Sequence, residues 1–217
     1  KRQNFHLGVG PMNDAYIVAS NHHRRGYKVF FLHNSTRDEF LTYLKFFIQY
    51  TQISLTTFYA GRTTSLQKNN HQKENGVEQK NNLVKAMIFE QGYVIDNEIG
   101  NLLVNFKRNQ SKVVFISDCC HGGPIWDFDS PYFCLLDLPE NIISISVEND
   151  EDISDYDKLL ITNDGIFTIW FWRISNEYPN ITPCQLKEKI APQLKKFGLS
   201  VVYHSTSNDL FQKPIFL

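Results

Sequence analysis

Apolar positions along the chain switch repeatedly between a period of two and a period near 3.6. Phe5-His6-Leu7-Gly8-Val9 alternates and predicts a first strand that ends in a Gly10-Pro11 break. Asn13-Asp14 offers a helix cap, and a helix is expected from about Ala15 to Arg25, closed by Gly26. Tyr27 to Leu32 reads as a second strand. Thr36-Arg37-Asp38-Glu39 is a capping box, and Phe40, Leu41, Leu44, Phe47 and Ile48 form the apolar stripe of the helix behind it. Ile53 to Tyr59 predicts a third strand, from whose end Ala60-Gly61-Arg62 departs.

Between Thr63 and Asn82 little can be buried, so a long mobile loop is expected at about 63–82. Leu83 to Phe89 and Tyr93-Val94 predict a short hairpin. Asp96 is expected to cap a helix carrying Ile99, Leu102, Leu103 and Phe106 inward. Lys112 to Ser117 is an uncharged β-branched run after its lysine, the pattern of a strand covered on both faces. Asn141 to Val147 predicts another strand, and the six acidic residues from Glu148 to Asp157 predict a surface loop. Gly165 to Arg173 reads as an apolar helix. Thr182-Pro183-Cys184-Gln185 opens a helix that runs to Phe197 and stops at Gly198, before a last strand at Leu199 to Tyr203. Strands alternating with helices predict an α/β fold, a largely parallel sheet between two helix layers, in a single domain spanning 1–217.

Composition narrows the partners. A net charge of -1 leaves no basic footprint, so neither nucleic acid nor a membrane surface is expected. No apolar run approaches the ~20 residues of a membrane span. The chain opens on Lys1 rather than Met, which reads as a piece of a longer protein. Cys119, Cys120, Cys134 and Cys184 fit neither zinc spacing nor a disulfide framework, so a reducing, cytoplasmic setting is expected.

The chemistry concentrates at Asp118-Cys119-Cys120-His121-Gly122-Gly123, where the buried strand ends. The carboxyl ends of strands in open α/β sheets are where ligands bind. A thiol there is a nucleophile only as thiolate, which needs a base and a positive neighbour. The same residues also read as a buried free-Cys pair followed by a loop.

Four segments together resemble the metacaspases of the caspase superfamily. Asp118 to Gly123 resembles the family's Asp-Ser-Cys-His-Ser-Gly turn, with Cys119 in the serine's position. Tyr93 to Ile99 resembles its Ile-Val-Asp-Asp-Glu-Ile segment. Leu7 to Ala15, with Asn13-Asp14-Ala15, is similar to its Gly-x-x-Asn-Asp-Ala helix start, and Phe58-Tyr59-Ala60-Gly61 to its Tyr-Ser-Gly-His-Gly. The resemblance implies a caspase-like three-layer sandwich, with a mostly parallel central sheet and helices on both faces. It implies Cys120 as the nucleophile and a peptide or protein substrate, or an active metacaspase relative, as partner. A monomer is expected by the same analogy.

The chain departs from that pattern where the catalytic histidine belongs. The position is Arg62, followed by Thr63 instead of Gly. Imidazole can take a proton from a thiol and return it to a leaving amine, whereas a guanidinium stays protonated and cannot cycle. A guanidinium can still favour a thiolate by its charge. His71 and His121 are the alternative bases to weigh. The resemblance also carries over a basic-residue pocket: Asp14 and Asp118 are present, and the serine beside them is Ala60. A carboxylate pair suits a guanidinium, so Arg62 itself is expected to bend into Asp14 and Asp118 and plug the site. Asp14 read alone is a helix cap, and Asp118 a turn former.

No cofactor is required on this reading. The calcium positions carried over are Asp96, Asn97 and Asp127, and Asn97 in place of Asp weakens that site. Three functions follow: a peptidase homologue impaired at Arg62, an active cysteine endopeptidase cutting after Arg or Lys, or a non-catalytic interaction module.

Overall fold

The computed structural model describes residues 10–67, 83–107, 111–120, 126–128, 131–149 and 165–216. Its elements in chain order are helix α1 (Gly10–Arg24), helix α2 (Arg37–Tyr50), strand β1 (Ser54–Gln67), the strands β2 (Leu83–Phe89) and β3 (Gly92–Ile95), and helix α3 (Asp96–Phe106). Strand β4 (Lys112–Cys120), a short helix α4 (Pro131–Cys134), strand β5 (Ile142–Asn149), the helices α5 (Ile166–Glu177) and α6 (Pro183–Leu194), and strand β6 (Leu199–Ser205) follow. The expected strand at Phe5–Val9, the segment 68–82 and most of the acidic stretch after Glu148 lie outside the described residues.

Six strands form one sheet in the order β3-β2-β1-β4-β5-β6. Pairing is parallel from β1 to β4 and from β4 to β5, and antiparallel at β1/β2, β2/β3 and β5/β6. The sheet is therefore mixed, with a parallel centre and antiparallel flanks, rather than largely parallel. The β2–β3 connection explains one flank: Glu90 and Gln91 form a two-residue hairpin turn, and Gly92, the first residue of β3, follows it at φ +120°.

Val113 to Ile116 of β4 are at most 1% exposed, and successive residues go to opposite layers. Val113 and Phe115 pack with Phe40, Leu44 and Ile48 of α2 and Ile99 and Leu103 of α3. Val114 and Ile116 pack with Val18 of α1, Phe167 and Phe171 of α5 and Leu186 and Ile190 of α6. Each such side chain contributes roughly 1.5–3 kcal/mol by leaving water. The result is an α/β sandwich with helices on both faces.

Several local expectations need correction. The helix expected from Ala15 begins at Gly10, so Asp14 lies inside α1 instead of capping it. Tyr27–Leu32 takes no place in the described ladders; it runs extended between α1 and α2 with Val29, Phe30 and Phe31 exposed. Its β-branched and aromatic content predicted pairing that depends on a neighbour. The polar loop expected from Thr63 does not take in Thr63 to Gln67, which pair with Met87 to Leu83. At α3 the cap is not Asp96, which is the first helical residue; Glu98 instead accepts the Ile95 N–H at 3.1 Å. Both predicted capping boxes form: Glu39 and Gln185 accept the N–H groups of Thr36 and Thr182.

One buried ionisable group ties α1 to α5 and to the C-terminal segment. His22 Nδ1–H donates to the Val18 carbonyl at 3.0 Å, and its ring meets Tyr27, Trp172 and Phe216 nearly edge-on. Burial lowers its pKa to about 4, with the nearby Arg25 charge adding to the shift. The folded state therefore prefers neutral His22. Its stabilising contribution is complete above the unfolded value near 6.5 and is lost as pH falls towards 4. Urea unfolding measured from pH 7 down to pH 4 is expected to show a loss of roughly 3 kcal/mol from this group. His22→Leu should remove that part of the slope; an unchanged slope in the variant overturns the assignment.

Candidate functional site

The parallel pair β1/β4 brings the predicted site residues together through its register. Ala60 is the Cα partner of Asp118, and Arg62 is the partner of Cys120. Adjacent strands lie about 4.8 Å apart, so these pairs are immediate backbone neighbours. Strand β4 continues through Cys120, placing the Cys turn at the carboxyl edge of the two parallel strands, where a ligand site is expected in α/β sheets.

Arg62 also marks a change of partner. Strand β1 pairs with β4 up to Arg62 and with β2 from Thr63 onward. Tyr59 pins this junction: its hydroxyl lies 2.7 Å from the Arg62 carbonyl and 3.0 Å from the Ile88 carbonyl of β2, donating its one proton between them. The ring lies along its own strand over Gly61, where a Cβ would come within 2.6 Å of the hydroxyl oxygen. A glycine between Tyr59 and Arg62 is thus required for this clamp. Burial, and next the Cys119 charge, push the Tyr59 hydroxyl above its ordinary range.

The acidic pair converges on the first turn of α5. Asp118 Oδ2 accepts from the Thr168 backbone N–H at 3.2 Å and from the Thr168 hydroxyl at 2.6 Å. Burial raises the Asp118 pKa, and the two Thr168 bonds pull it down without cancelling the rise. Asp14 is buried from α1 against Gly165, the residue that caps α5. Gly165 has φ +54°, and a Cβ there would overlap the Asp14 carboxylate. Asp14, Asp118 and Ala60, predicted together, therefore do meet in one region. Arg62 was expected to plug this pair; at Asp118 Oδ2 the bonds seen are the two from Thr168.

Neither Thr168 nor Tyr59 was singled out in the sequence. The available signal for Thr168 was an apolar helix opening on Gly165, which has no side chain to cap it. Such a helix needs an acceptor from elsewhere.

The calcium positions give a partial cluster. Asp96, buried at the start of α3, has its pKa raised well above the carboxylate range by burial and then by the Asp127 charge, with Lys85 opposing. Asp96 Oδ1 is buried without a hydrogen-bond partner. Asp127 Oδ1 faces His204 Nδ1 at 3.2 Å. The two acids thus lie close enough, from distant segments, for the Asp127 charge to act on Asp96. Among the described residues, no group of three His, Cys, Asp or Glu side chains comes together as a metal site. His71 and His121 lie outside the described residues. Cys119, Cys134 and Cys184 are free thiols. Among the described residues, no helix is long and apolar enough to cross a membrane.

No protein-family model matches this chain, and no curated protein matches it. Among solved structures, it is similar to the crystal structure of protein GSU0716 from Geobacter sulfurreducens, at 16% identity and a TM-score of 0.67. That likeness covers 94% of this chain and 88% of the other. At this identity it speaks for a shared α/β fold.

The Gly165 geometry makes a prediction. Gly165→Ala meets both a left-handed backbone and the Asp14 carboxylate, and is expected to cost at least about 1 kcal/mol in urea unfolding. Asp14→Gly in the same background should recover part of the loss by removing the overlap. An Ala variant as stable as the parent would overturn the packing of Asp14 on this turn.

Proposed function

We propose that this chain is a cysteine-peptidase homologue of the metacaspase type, with a caspase-like arrangement of the sandwich and with turnover impaired at Arg62. In this reading Cys120 holds the nucleophile position, and Asp14 and Asp118, beside Ala60, form a receptor for a basic side chain. The observation that carries it is the β1/β4 register, which sets Arg62 opposite Cys120 and Ala60 opposite Asp118. Two pairs of residues, each 58 positions apart in sequence, thereby fall side by side at the carboxyl end of the two strands.

Peptide-bond cleavage by a thiol requires two proton movements. The thiol must lose its proton before sulfur adds to the carbonyl carbon, and the departing amine must gain one. A guanidinium performs neither step at neutral pH, although its positive charge favours a thiolate nearby. The site is thus suited to binding a peptide with Arg or Lys at the pocket and to forming a reactive thiol, without efficient turnover. Regulation of an active relative by such binding fits this chemistry, as does a cytoplasmic monomer that needs no metal for the binding itself. The exposed aromatic strip of Phe30, Tyr43, Phe46 and Tyr50 favours a second reading, in which the sandwich serves as an interaction module.

A fluorogenic peptide with Arg before the scissile bond tests the first reading, with and without Ca2+. The unmodified chain is expected to be silent. Arg62→His is expected to raise kcat/KM by on the order of a hundred- to ten-thousandfold, the usual worth of a general acid–base group. Adding Cys120→Ala should abolish the gain. Cleavage by the unmodified chain, or a gain that survives Cys120→Ala, overturns the assignment of these two positions.

A further inference from the structure

We propose that Thr168 is a positioning residue that sets the basic-side-chain specificity of this site by holding Asp118 in its receptor geometry; this rests on the reading of Asp14 and Asp118 as the receptor. Thr168 lies fifty residues beyond Asp118 in sequence and belongs to a different layer. Helix α5 opens on Gly165, which has no side chain to cap it. The cap comes instead from Asp118, whose Oδ2 receives both the N–H and the hydroxyl of Thr168. The backbone bond fixes where that oxygen sits. The hydroxyl bond falls on the same oxygen, so the two together hold Oδ2 in place and, through the planar carboxylate, set where the other oxygen is directed.

Gly165 completes the frame by leaving room for the Asp14 carboxylate on the same turn. The positive end of the α5 dipole then faces two carboxylates at once, which favours their ionised forms and offsets part of their burial. A cationic side chain is the ligand class that gains most from two ionised carboxylates held side by side. Burial drives Asp118 towards its neutral form, and the Thr168 hydroxyl works against that by favouring the charged form. Removing that hydroxyl raises the Asp118 pKa. Binding that needs the carboxylate is lost as pH falls through this pKa, so the pH of half-binding moves upward.

The experiment is calorimetric titration of the intact chain with acetyl-arginine amide, and with the citrulline analogue as an uncharged control of the same shape, from pH 5 to pH 8. The parent is expected to prefer arginine. Thr168→Val, which keeps the backbone N–H and the volume, should weaken arginine binding about tenfold and raise the pH of half-binding. Thr168→Ser should restore both. Should the Val variant not fold, Thr168→Cys, whose thiol donates only weakly, reads the same two quantities. Equal affinity and an equal pH of half-binding in the Val or Cys variant and the parent overturn the inference, as does a parent that binds citrulline as well as arginine. Turnover of the Arg62→His chain reports separately on the peptidase reading. Silence there, with Thr168-dependent arginine binding intact, sinks the peptidase reading and leaves the inference standing.

Discussion

The clasp between Asp118 and Thr168 is the contact on which the site depends. It fastens the carboxyl end of the buried strand β4 to the first turn of a helix whose own cap residue has no side chain. Without it, α5 would begin with unsatisfied N–H groups inside the protein, and Asp118 would be a buried carboxylate with its main donors gone. Each costs on the order of 1–3 kcal/mol when left unmade. The two liabilities cancel only because both groups meet at one point, which fixes α5 against the carboxyl edge of β4. Asp14 then inherits its place, since Gly165 is held where a carboxylate from α1 can lie against it.

A second constraint acts one strand away. Strand β1 serves two ladders, parallel with β4 and antiparallel with β2, and changes from one to the other between Arg62 and Thr63. A strand bent between two partners needs something to hold the junction, and the Tyr59 hydroxyl reaches carbonyls on both sides of it. Arg62 is therefore carried on a braced backbone. Whatever residue stands there is carried on the backbone directly opposite Cys120 of the neighbouring strand.

Much of this was legible where the cause is local. The capping boxes at Thr36 and Thr182 rest on residues three apart, and both form. The apolar run from Val113 to Ile116 announced the central strand because burial on both faces leaves no alternation. The acidic pair and Ala60 were selected together, and they do converge. What failed was long-range. Tyr27–Leu32 has the composition of a strand, yet composition does not supply a partner. Thr63 to Gln67 looks too polar to be ordered, yet its backbone is paired by Leu83 to Met87. Asp14 and Asp96 each looked like helix caps. At α3 Glu98 takes the Ile95 N–H instead, and Asp14 lies one turn inside α1, because a cap is defined by what the first turn lacks rather than by the presence of an acid. Thr168 went unnoticed for the same reason: nothing in its own neighbourhood shows that its partner is Asp118.

The clasp bears on how the intact pocket is to be understood. Two buried carboxylates are costly, and finding both beside an arginine that cannot act as a base invites the conclusion that they are kept for binding. Asp118, however, already has a structural occupation as the cap of α5, and that alone is sufficient reason for its presence. Asp14 packs on the same turn against Gly165, a glycine with a left-handed backbone whose missing side chain leaves room for the carboxylate. That clearance ties the identities of residues 14 and 165 to each other, since a side chain at 165 would collide with the acid. The argument for a receptor therefore rests more heavily on Asp14 and Gly165 than on Asp118, although Asp118 is the better bonded of the two.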